Sequence, residues 1–182
     1  MVVVFLAEGF EEVEALAPVD IMRRAGLEVV MAGVTGMEVT GSHGIKVAAD
    51  MAAKDVDVSK LDGMVLPGGL PGTLNLEQSQ AVQSCLDRCV EEGKLVAAIC
   101  AAPSILAHKG LLKGRKATAF PNFQKDLTEG GAALAEEYDC RDGQFLTARG
   151  MGVATQFGLA LVAALVSQEK AEEIRSSIQW EG

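Results

Sequence analysis

A cysteine that follows a run of apolar residues is the first candidate for chemistry in this chain. The run Leu95-Val-Ala-Ala-Ile99 shows no alternation and predicts a strand that is buried on both faces. Pro103 then opens a helical pattern, because proline is tolerated in the first turn of a helix. Cys100 is therefore predicted on the sharp turn between a central strand and a helix, where an elbow presents a nucleophile.

The predicted helix N-terminus also indicates how the Cys100 thiol would be activated. Free N–H groups and the positive end of the helix dipole stabilise a thiolate. We therefore expect the pKa of Cys100 to lie below the usual ~8.5 and to be the lowest among the four cysteines. The alternative is a small core cysteine, which is the commonest role of a free cysteine.

A glycine-rich loop is the second candidate feature. Pro67-Gly-Gly-Leu-Pro-Gly72 follows another short apolar run, and glycines let backbone N–H groups approach a ligand closely. An N–H at Gly68 or Gly69, together with the N–H of Ala101, can form an oxyanion hole. The loop lacks the sequence of a phosphate loop or a GxGxxG fingerprint, and its simpler interpretation is a turn.

Four glutamates follow the first predicted strand, at positions 8, 11, 12 and 14. Most of them are explained by a solvated first helical turn, where negative charge complements the helix dipole. Glu14, between Val13 and Ala15, is the one that we expect to face the end of the sheet. A carboxyl beside a thiolate in a desolvated pocket has a raised pKa and can act as a general acid and base.

The histidines and the remaining cysteines do not suggest a catalytic pair or a metal site. His108 lies eight residues after Cys100, about 12 Å away along a helix, and we expect it in that helix's last turn. His43 falls in a glycine-rich region and cannot be placed from the sequence. Cys85 and Cys89 have helical spacing, which predicts core packing, so we expect no metal.

Alternating strands and helices position these residues. Predicted strands cover residues 2–7, 27–34, 64–66, 95–99, 117–119 and 144–147, with short strands or a hairpin over 36–50. Predicted helices cover residues 11–24, 82–92, 103–109, 153–166 and 168–177, and Pro18 should kink the first helix or delay its start. This order predicts an α/β fold with a doubly wound, mostly parallel sheet and helices on both faces, as one domain over 1–182.

Composition excludes some classes of function. The 182 residues are 49% hydrophobic with a net charge of −9, which argues against a nucleic-acid partner, because phosphate binding needs clustered positive charge. No apolar run approaches the ~20 residues needed to cross a bilayer, and the first seven residues are too short for a signal peptide. We therefore expect a cytoplasmic protein with no membrane partner.

Several long motifs, in order along almost the whole chain, resemble the DJ-one/ThiJ/PfpI family, which includes the Parkinson-disease protein deglycase. They are Ala7-Glu-Gly-Phe-Glu-Glu-Val-Glu14, Pro18-Val-Asp-Ile-Met-Arg-Arg-Ala-Gly26, Val65-Leu-Pro-Gly-Gly69, Ala97-Ala-Ile-Cys-Ala-Ala-Pro103 and Thr147-Ala-Arg-Gly150. The resemblance implies a flavodoxin-like sandwich, a homodimer and no cofactor. It also implies that Cys100 is the nucleophile, that Glu14 is its protonated partner, and that Gly68, Gly69 and Ala101 bind the substrate oxyanion.

At two positions this chain lacks a histidine that some branches of the family carry, which limits the branches that it resembles. Protease-like and some chaperone-like branches place a histidine directly after the nucleophile, where this chain has Ala101, which argues against a peptidase. Deglycase-like members often carry a histidine where this chain has Phe120, as in the bacterial YajL-like branch. Glu14 is then left as the main proton carrier. By resemblance, Asp20 and Arg24 lie near both the dimer interface and the site.

Together these features predict a cofactor-free cysteine enzyme of the glyoxalase or deglycase type. Its substrates would be small reactive carbonyl compounds: 2-oxoaldehydes such as methylglyoxal, or their early adducts with thiols and amines. Cys100 would add to the aldehyde and Glu14 would carry the proton. The first alternative is an oxidative-stress sensor or redox-regulated chaperone that uses oxidation of Cys100. A second is thiazole metabolism in the thiamin pathway, which is suggested by a family label alone.

Overall fold

The computed structural model describes residues 1–181, and its largest element is a seven-stranded sheet with the order β10-β11-β7-β6-β1-β2-β5. The pair β10–β11 is antiparallel, whereas the other neighbours in this sheet are parallel. The strands are β1 (Val2–Leu6), β2 (Val29–Gly33), β3 (Glu38–Thr40), β4 (Lys46–Ala48), β5 (Met51–Ala52), β6 (Gly63–Leu66), β7 (Leu95–Ile99), β8 (Lys116–Ala117), β9 (Ala133–Leu134), β10 (Asp139–Asp142) and β11 (Phe145–Ala148).

Helices cover both faces of this sheet. They are α1 (Glu12–Arg24), α2 (Gly72–Gln78), α3 (Gln80–Glu91), α4 (Pro103–His108), α5 (Gln124–Glu129), α6 (Ala154–Leu165) and α7 (Gln168–Ser177). Along the chain the parallel strands β1, β2, β6, β7 and β11 are arranged 2-1-3-4-5, which is the flavodoxin-like order. The predicted fold class is therefore confirmed.

The core divides into two layers because successive strand residues point to opposite faces of the sheet. Phe5 of β1 packs in the layer that contains Leu86 of α3 and Ile105 of α4. Leu6, its neighbour in β1, packs in the opposite layer with Phe157 of α6. Both faces of the central strands are buried, which explains their continuous apolar runs.

Several predicted bounds differ from the observed ones. Helix α1 continues without interruption through Pro18, so its start is not delayed. The strand expected over 117–119 is shorter, and strand β10 and helix α2 were not predicted at all. The hairpin expected within 36–50 is confirmed as the antiparallel pair β3–β4. Over residues 1–181, every helix is too short or too polar to cross a bilayer.

Candidate active site

The backbone at Cys100 has the conformation of an elbow. Strand β7 ends one residue before Cys100, and α4 begins three residues after it. Cys100 has φ 65°, a left-handed conformation that a residue with a β-carbon rarely adopts. Two hydrogen bonds hold it: the Cys100 N–H donates to the Ala148 carbonyl at 2.9 Å, and the Phe120 N–H donates to the Cys100 carbonyl at 2.9 Å. The predicted strand–turn–helix placement of Cys100 is confirmed.

Backbone N–H groups from two loops converge near the sulfur. The N–H groups of Gly69 and Ala101 donate to Cys100 Sγ. Gly69 is therefore the residue of the glycine-rich loop that supplies a donor to the sulfur. The Gly68 N–H instead donates to Glu14 Oε2 at 2.9 Å. The Gly68 N–H is therefore engaged by the carboxyl in this structure, and its role in binding a substrate oxyanion stays a prediction. Cys100, Glu14, Gly69 and Ala101 are called the Cys100 site below.

The Glu14 carboxyl is buried, with 1% of the residue exposed, although it lies in the first turn of α1. Glu11 caps that helix, since its Oε2 accepts from the Glu14 N–H at 2.7 Å. The Glu11 N–H in turn donates to the Gly68 carbonyl at 2.9 Å. The start of α1 therefore contacts both sides of the backbone at residue 68, and this fixes where the Glu14 carboxyl lies.

Burial raises the pKa of Glu14 to about 7, and the negative charge of Glu11 adds to this effect. The Cys100 thiol and the N–H groups of Gly68 and Met151 donate to the carboxylate and oppose part of the rise. A carboxyl with this pKa exchanges protons near neutral pH, as a general acid and base must.

The pKa of Cys100 differs from the sequence-based expectation. Its pKa is raised to about 12, mainly by burial and further by the charge and hydrogen bond of the Glu14 carboxylate, while the N–H groups of Ala101 and Gly69 oppose part of the rise. The predicted stabilising donors are therefore present, but burial and Glu14 outweigh them. Protonation of Glu14 removes the carboxylate charge and supplies an O–H donor to the sulfur, so it favours the thiolate.

The Cys100 site has room for one further carbon atom at Gly150. A β-carbon built on Gly150 would lie 3.5 Å from the Phe120 ring, 3.8 Å from Glu14 Oε1 and 4.0 Å from Cys100 Sγ. Phe120 is 42% exposed, so its ring lies at the protein surface beside Gly150. The structure thus places Phe120 in the neighbourhood of the Cys100 site, as predicted.

The other glutamates of the cluster are not a solvated helical turn. Glu12 is 3% exposed, and its Oε1 accepts from the N–H groups of His43 at 2.8 Å and Ile45 at 3.3 Å. Glu8 Oε1 accepts from the Thr40 N–H at 3.1 Å. These side chains hold the β3–β4 hairpin against the start of α1, and nothing local in the sequence pointed to that contact.

Glu11, Glu12 and His43 also bring donor atoms within 4.8 Å of one another, the spacing that a metal ion would need. Burial alone would raise the pKa of Glu12, but hydrogen bonds from the backbone and from His43 outweigh it and lower the pKa. The His43 ring contacts Glu12 Oε2 at 3.1 Å. Each of these contacts serves the attachment of the hairpin.

The other residues considered in the sequence lie outside the Cys100 site. His108 Nδ1 pairs with Glu77 Oε1 at 2.7 Å, so this histidine links α4 to α2 in addition to ending its own helix. Arg24 Nε donates to Asp20 Oδ2 at 2.6 Å on the exposed side of α1, and the described hydrogen bonds of this pair do not reach Cys100 or Glu14. The predicted interface role of the Asp20–Arg24 pair stays a prediction.

Sequence comparisons find a family profile and curated relatives that match most of the chain. The DJ-1/PfpI family profile matches residues 1–164. "Protein DJ-1 homolog A" of Arabidopsis thaliana is 38% identical over 177 residues, which is 96% of this chain but only 45% of that protein. An archaeal relative named "Deglycase TK1284", from Thermococcus kodakarensis, is 34% identical over 151 residues, covering 83% of this chain and 90% of its own.

A solved structure shares the fold over the full length. The structure titled "Toxoplasma gondii DJ-1, oxidized" superposes with a TM-score of 0.94 at 35% sequence identity. The match covers 100% of this chain and 98% of the other. The likeness therefore includes the strands, loops and helices that build the Cys100 site.

Proposed function

The chain belongs to the DJ-1/PfpI family, and from this premise we propose that it is a cysteine enzyme of the glyoxalase or deglycase type. Its substrates are 2-oxoaldehydes such as methylglyoxal, or their early adducts with thiols and amines, and its products are 2-hydroxy acids. The observation that carries the proposal is the contact between Cys100 and a carboxyl whose pKa is raised by burial to about 7. The relative named deglycase supports the same reading.

In the first step the Cys100 sulfur attacks the aldehyde carbon. A carbon–sulfur bond forms, the carbonyl electron pair moves to oxygen, and the thiol proton reaches that oxygen through Glu14. The product is a hemithioacetal. The N–H groups of Gly69 and Ala101, which donate toward the sulfur, are placed to stabilise the oxygen as it becomes negative.

In the second step Glu14 moves a proton between adjacent carbons. The carboxylate removes the proton from the former aldehyde carbon, giving an enediolate, and returns it to the former ketone carbon. The result is a thioester that carries a 2-hydroxyl group. One carbon is oxidised and its neighbour is reduced, so this step consumes no external oxidant or reductant. A pKa of about 7 suits Glu14 to both halves of the transfer.

In the last step water hydrolyses the thioester, which releases the 2-hydroxy acid and regenerates the Cys100 thiol. From methylglyoxal the product is lactate. An adduct of the aldehyde with a thiol or an amine enters the same route after Cys100 displaces that group.

The test is lactate formation from methylglyoxal, followed by proton NMR with purified protein. Cys100→Ala should reduce the rate to background, whereas Cys85→Ala, which truncates a buried thiol of α3, should leave it unchanged. Equal rates for wild type and Cys100→Ala would remove Cys100 from the reaction.

A redox role is the second candidate, because the same groups suit an oxidised sulfur. Peroxide would oxidise the thiolate to a sulfenate and a second peroxide would give a sulfinate, each releasing water. The N–H groups of Gly69 and Ala101 and a protonated Glu14 are placed to donate to sulfinate oxygens. Mass spectrometry after peroxide treatment should find two added oxygens on Cys100, and a protein that does so without forming lactate would favour this second role.

A further inference from the structure

Gly150 leaves room for one methyl group directly beside the two reacting side chains. The β-carbon position of Gly150 is 3.8 Å from Glu14 Oε1 and 4.0 Å from Cys100 Sγ, and the nearest atom outside the adjoining residues belongs to the Phe120 ring, at 3.5 Å. These are ordinary van der Waals distances, so the position is empty without being strained. Gly150 has φ 160° and ψ −172°, an extended backbone that any residue can adopt.

Gly68 provides a contrast, because it also borders the Cys100–Glu14 pair but leaves no space. A β-carbon there would lie 2.6 Å from Glu14 Oε2 and 2.7 Å from the Cys100 β-carbon. Glycine at 68 is therefore required by the packing of the Cys100 site itself. Glycine at 150 is required neither by packing nor by the backbone conformation, so the space that it leaves is available to a substrate.

We infer that the space over Gly150 is the subsite for the substituent on the ketone carbon of the substrate, so that Gly150 determines which 2-oxoaldehydes are accepted. The inference rests on the proposed function. In the hemithioacetal on Cys100 that substituent is three bonds from the sulfur, which lets a methyl carbon reach a point 4.0 Å from Sγ. The Phe120 ring gives this methyl an apolar contact, and Glu14 Oε1 then lies beside the two carbons between which the proton moves.

This assignment names a substrate class: 2-oxoaldehydes with a small alkyl group on the ketone carbon, of which methylglyoxal is the simplest. Glyoxal, which has hydrogen at that place, would leave the subsite empty. Wild type is therefore expected to prefer methylglyoxal to glyoxal in kcat/KM.

The test is Gly150→Ala, which fills the subsite with the protein's own methyl group. We expect kcat/KM for methylglyoxal to fall by about 10- to 100-fold, which is the usual effect of one methyl group on specificity in a close-fitting pocket. For glyoxal it should change by no more than about threefold, because no substituent competes for the space. Equal losses for the two substrates, or no loss for either, would overturn the subsite.

Gly152→Ala is the matched control. It is the same substitution two residues further on, where a β-carbon would meet nothing within 4 Å. It should leave the preference between the two aldehydes at the wild-type value. A shift as large as that of Gly150→Ala would mean that the effect is not local to the subsite.

A second readout separates failure of the subsite from failure of the proposed function. Cys100 can be alkylated with chloroacetaldehyde and with its methyl-ketone homologue chloroacetone, which places a methyl carbon three bonds from the sulfur, and the two rates followed by mass spectrometry. Gly150→Ala should slow chloroacetone selectively, by about tenfold or more relative to chloroacetaldehyde. If wild type turns over neither aldehyde, the proposed function fails, and the ratio of alkylation rates alone decides whether the subsite exists. An unchanged ratio refutes it.

Discussion

Cys100 and the thiols of α3 show that burial by itself does not make a reactive cysteine. Burial raises the pKa of Cys85 to about 11 and of Cys89 to about 12, and it is also the main reason that the pKa of Cys100 rises to about 12. Cys85 and Cys89 are surrounded by the apolar core. Cys100 differs because it is only partly buried and has two N–H donors and a carboxyl that exchanges protons near neutral pH. The neighbours of the sulfur, and not its depth, distinguish the two regions.

The largest expected difference between these regions is in alkylation at pH 7. Cys85 and Cys89 are at most 1% exposed, so a reagent reaches them only after unfolding, which a stability of 5–15 kcal/mol makes rare. We expect Cys100 to react first, because its sulfur is only partly buried in the folded protein and protonation of Glu14 favours its thiolate. Peptide mapping after brief iodoacetamide treatment measures this, and earlier labelling of Cys85 would reverse the comparison.

The next effect concerns Glu14. Glu14→Gln keeps a hydrogen-bond donor to the sulfur but cannot carry a proton, so turnover should fall by about 10²–10⁴. Thiolate absorbance against pH should still detect a Cys100 thiolate, because the carboxylate charge has been removed. Glu14→Leu removes the donor as well and should give a higher thiol pKa than Glu14→Gln. Full turnover in both variants would exclude Glu14 from the chemistry.

The raised pKa of Glu14 also makes stability depend on pH. The folded protein disfavours the ionised carboxylate, so the pKa rises from 4.5 to about 7. Stability is then intact below pH 4.5 and falls between pH 4.5 and 7, by a total of about 3.5 kcal/mol at ~1.4 kcal/mol per pKa unit. Urea unfolding of wild type and Glu14→Gln at several pH values should show this slope in wild type alone.

The smallest expected effect belongs to the core thiols. Cys89→Ala should lower the free energy of unfolding by about 1 kcal/mol, the usual cost of a small core truncation. It should leave the pH dependence of stability and the labelling of Cys100 unchanged, because α3 and α1 pack in different core layers, on opposite faces of the sheet. A change in Cys100 labelling would show that the two regions are coupled.

Long apolar patterns made the central part of the fold predictable. Strand β7 and helix α7 have the bounds expected from the sequence, because a continuous apolar run and a periodic amphipathic one are strong local signals. Strand β10, with the sequence Asp-Cys-Arg-Asp, has neither pattern. It forms a strand because it pairs with β11 at the edge of the sheet, and that tertiary contact is not encoded in the local sequence pattern.

The Cys100 site was predictable in its members but not in their connections. Cys100 was expected from its place between a strand and a helix, and Glu14 from its place after β1 and from the family motif. That the N–H of Gly68 holds Glu14, while Gly69 donates to the sulfur, depends on a contact across 54 residues of sequence. The expected low pKa of Cys100 was wrong for a similar reason, since helix geometry does not show how deeply the sulfur is buried or that a carboxylate lies beside it.

The double contact at Gly68 has a consequence for amide hydrogen exchange. Its N–H is held by Glu14 and its carbonyl by the Glu11 N–H, so a loop residue is fixed as firmly as one inside a strand. Deuterium should enter the Gly68 amide slowly, and only when the first turn of α1 frays. Because the next amide, Gly69, donates to the sulfur, each such opening would also misplace a donor of the Cys100 site. The rate of amide hydrogen exchange at Gly68 would therefore measure how often the Cys100 site opens locally.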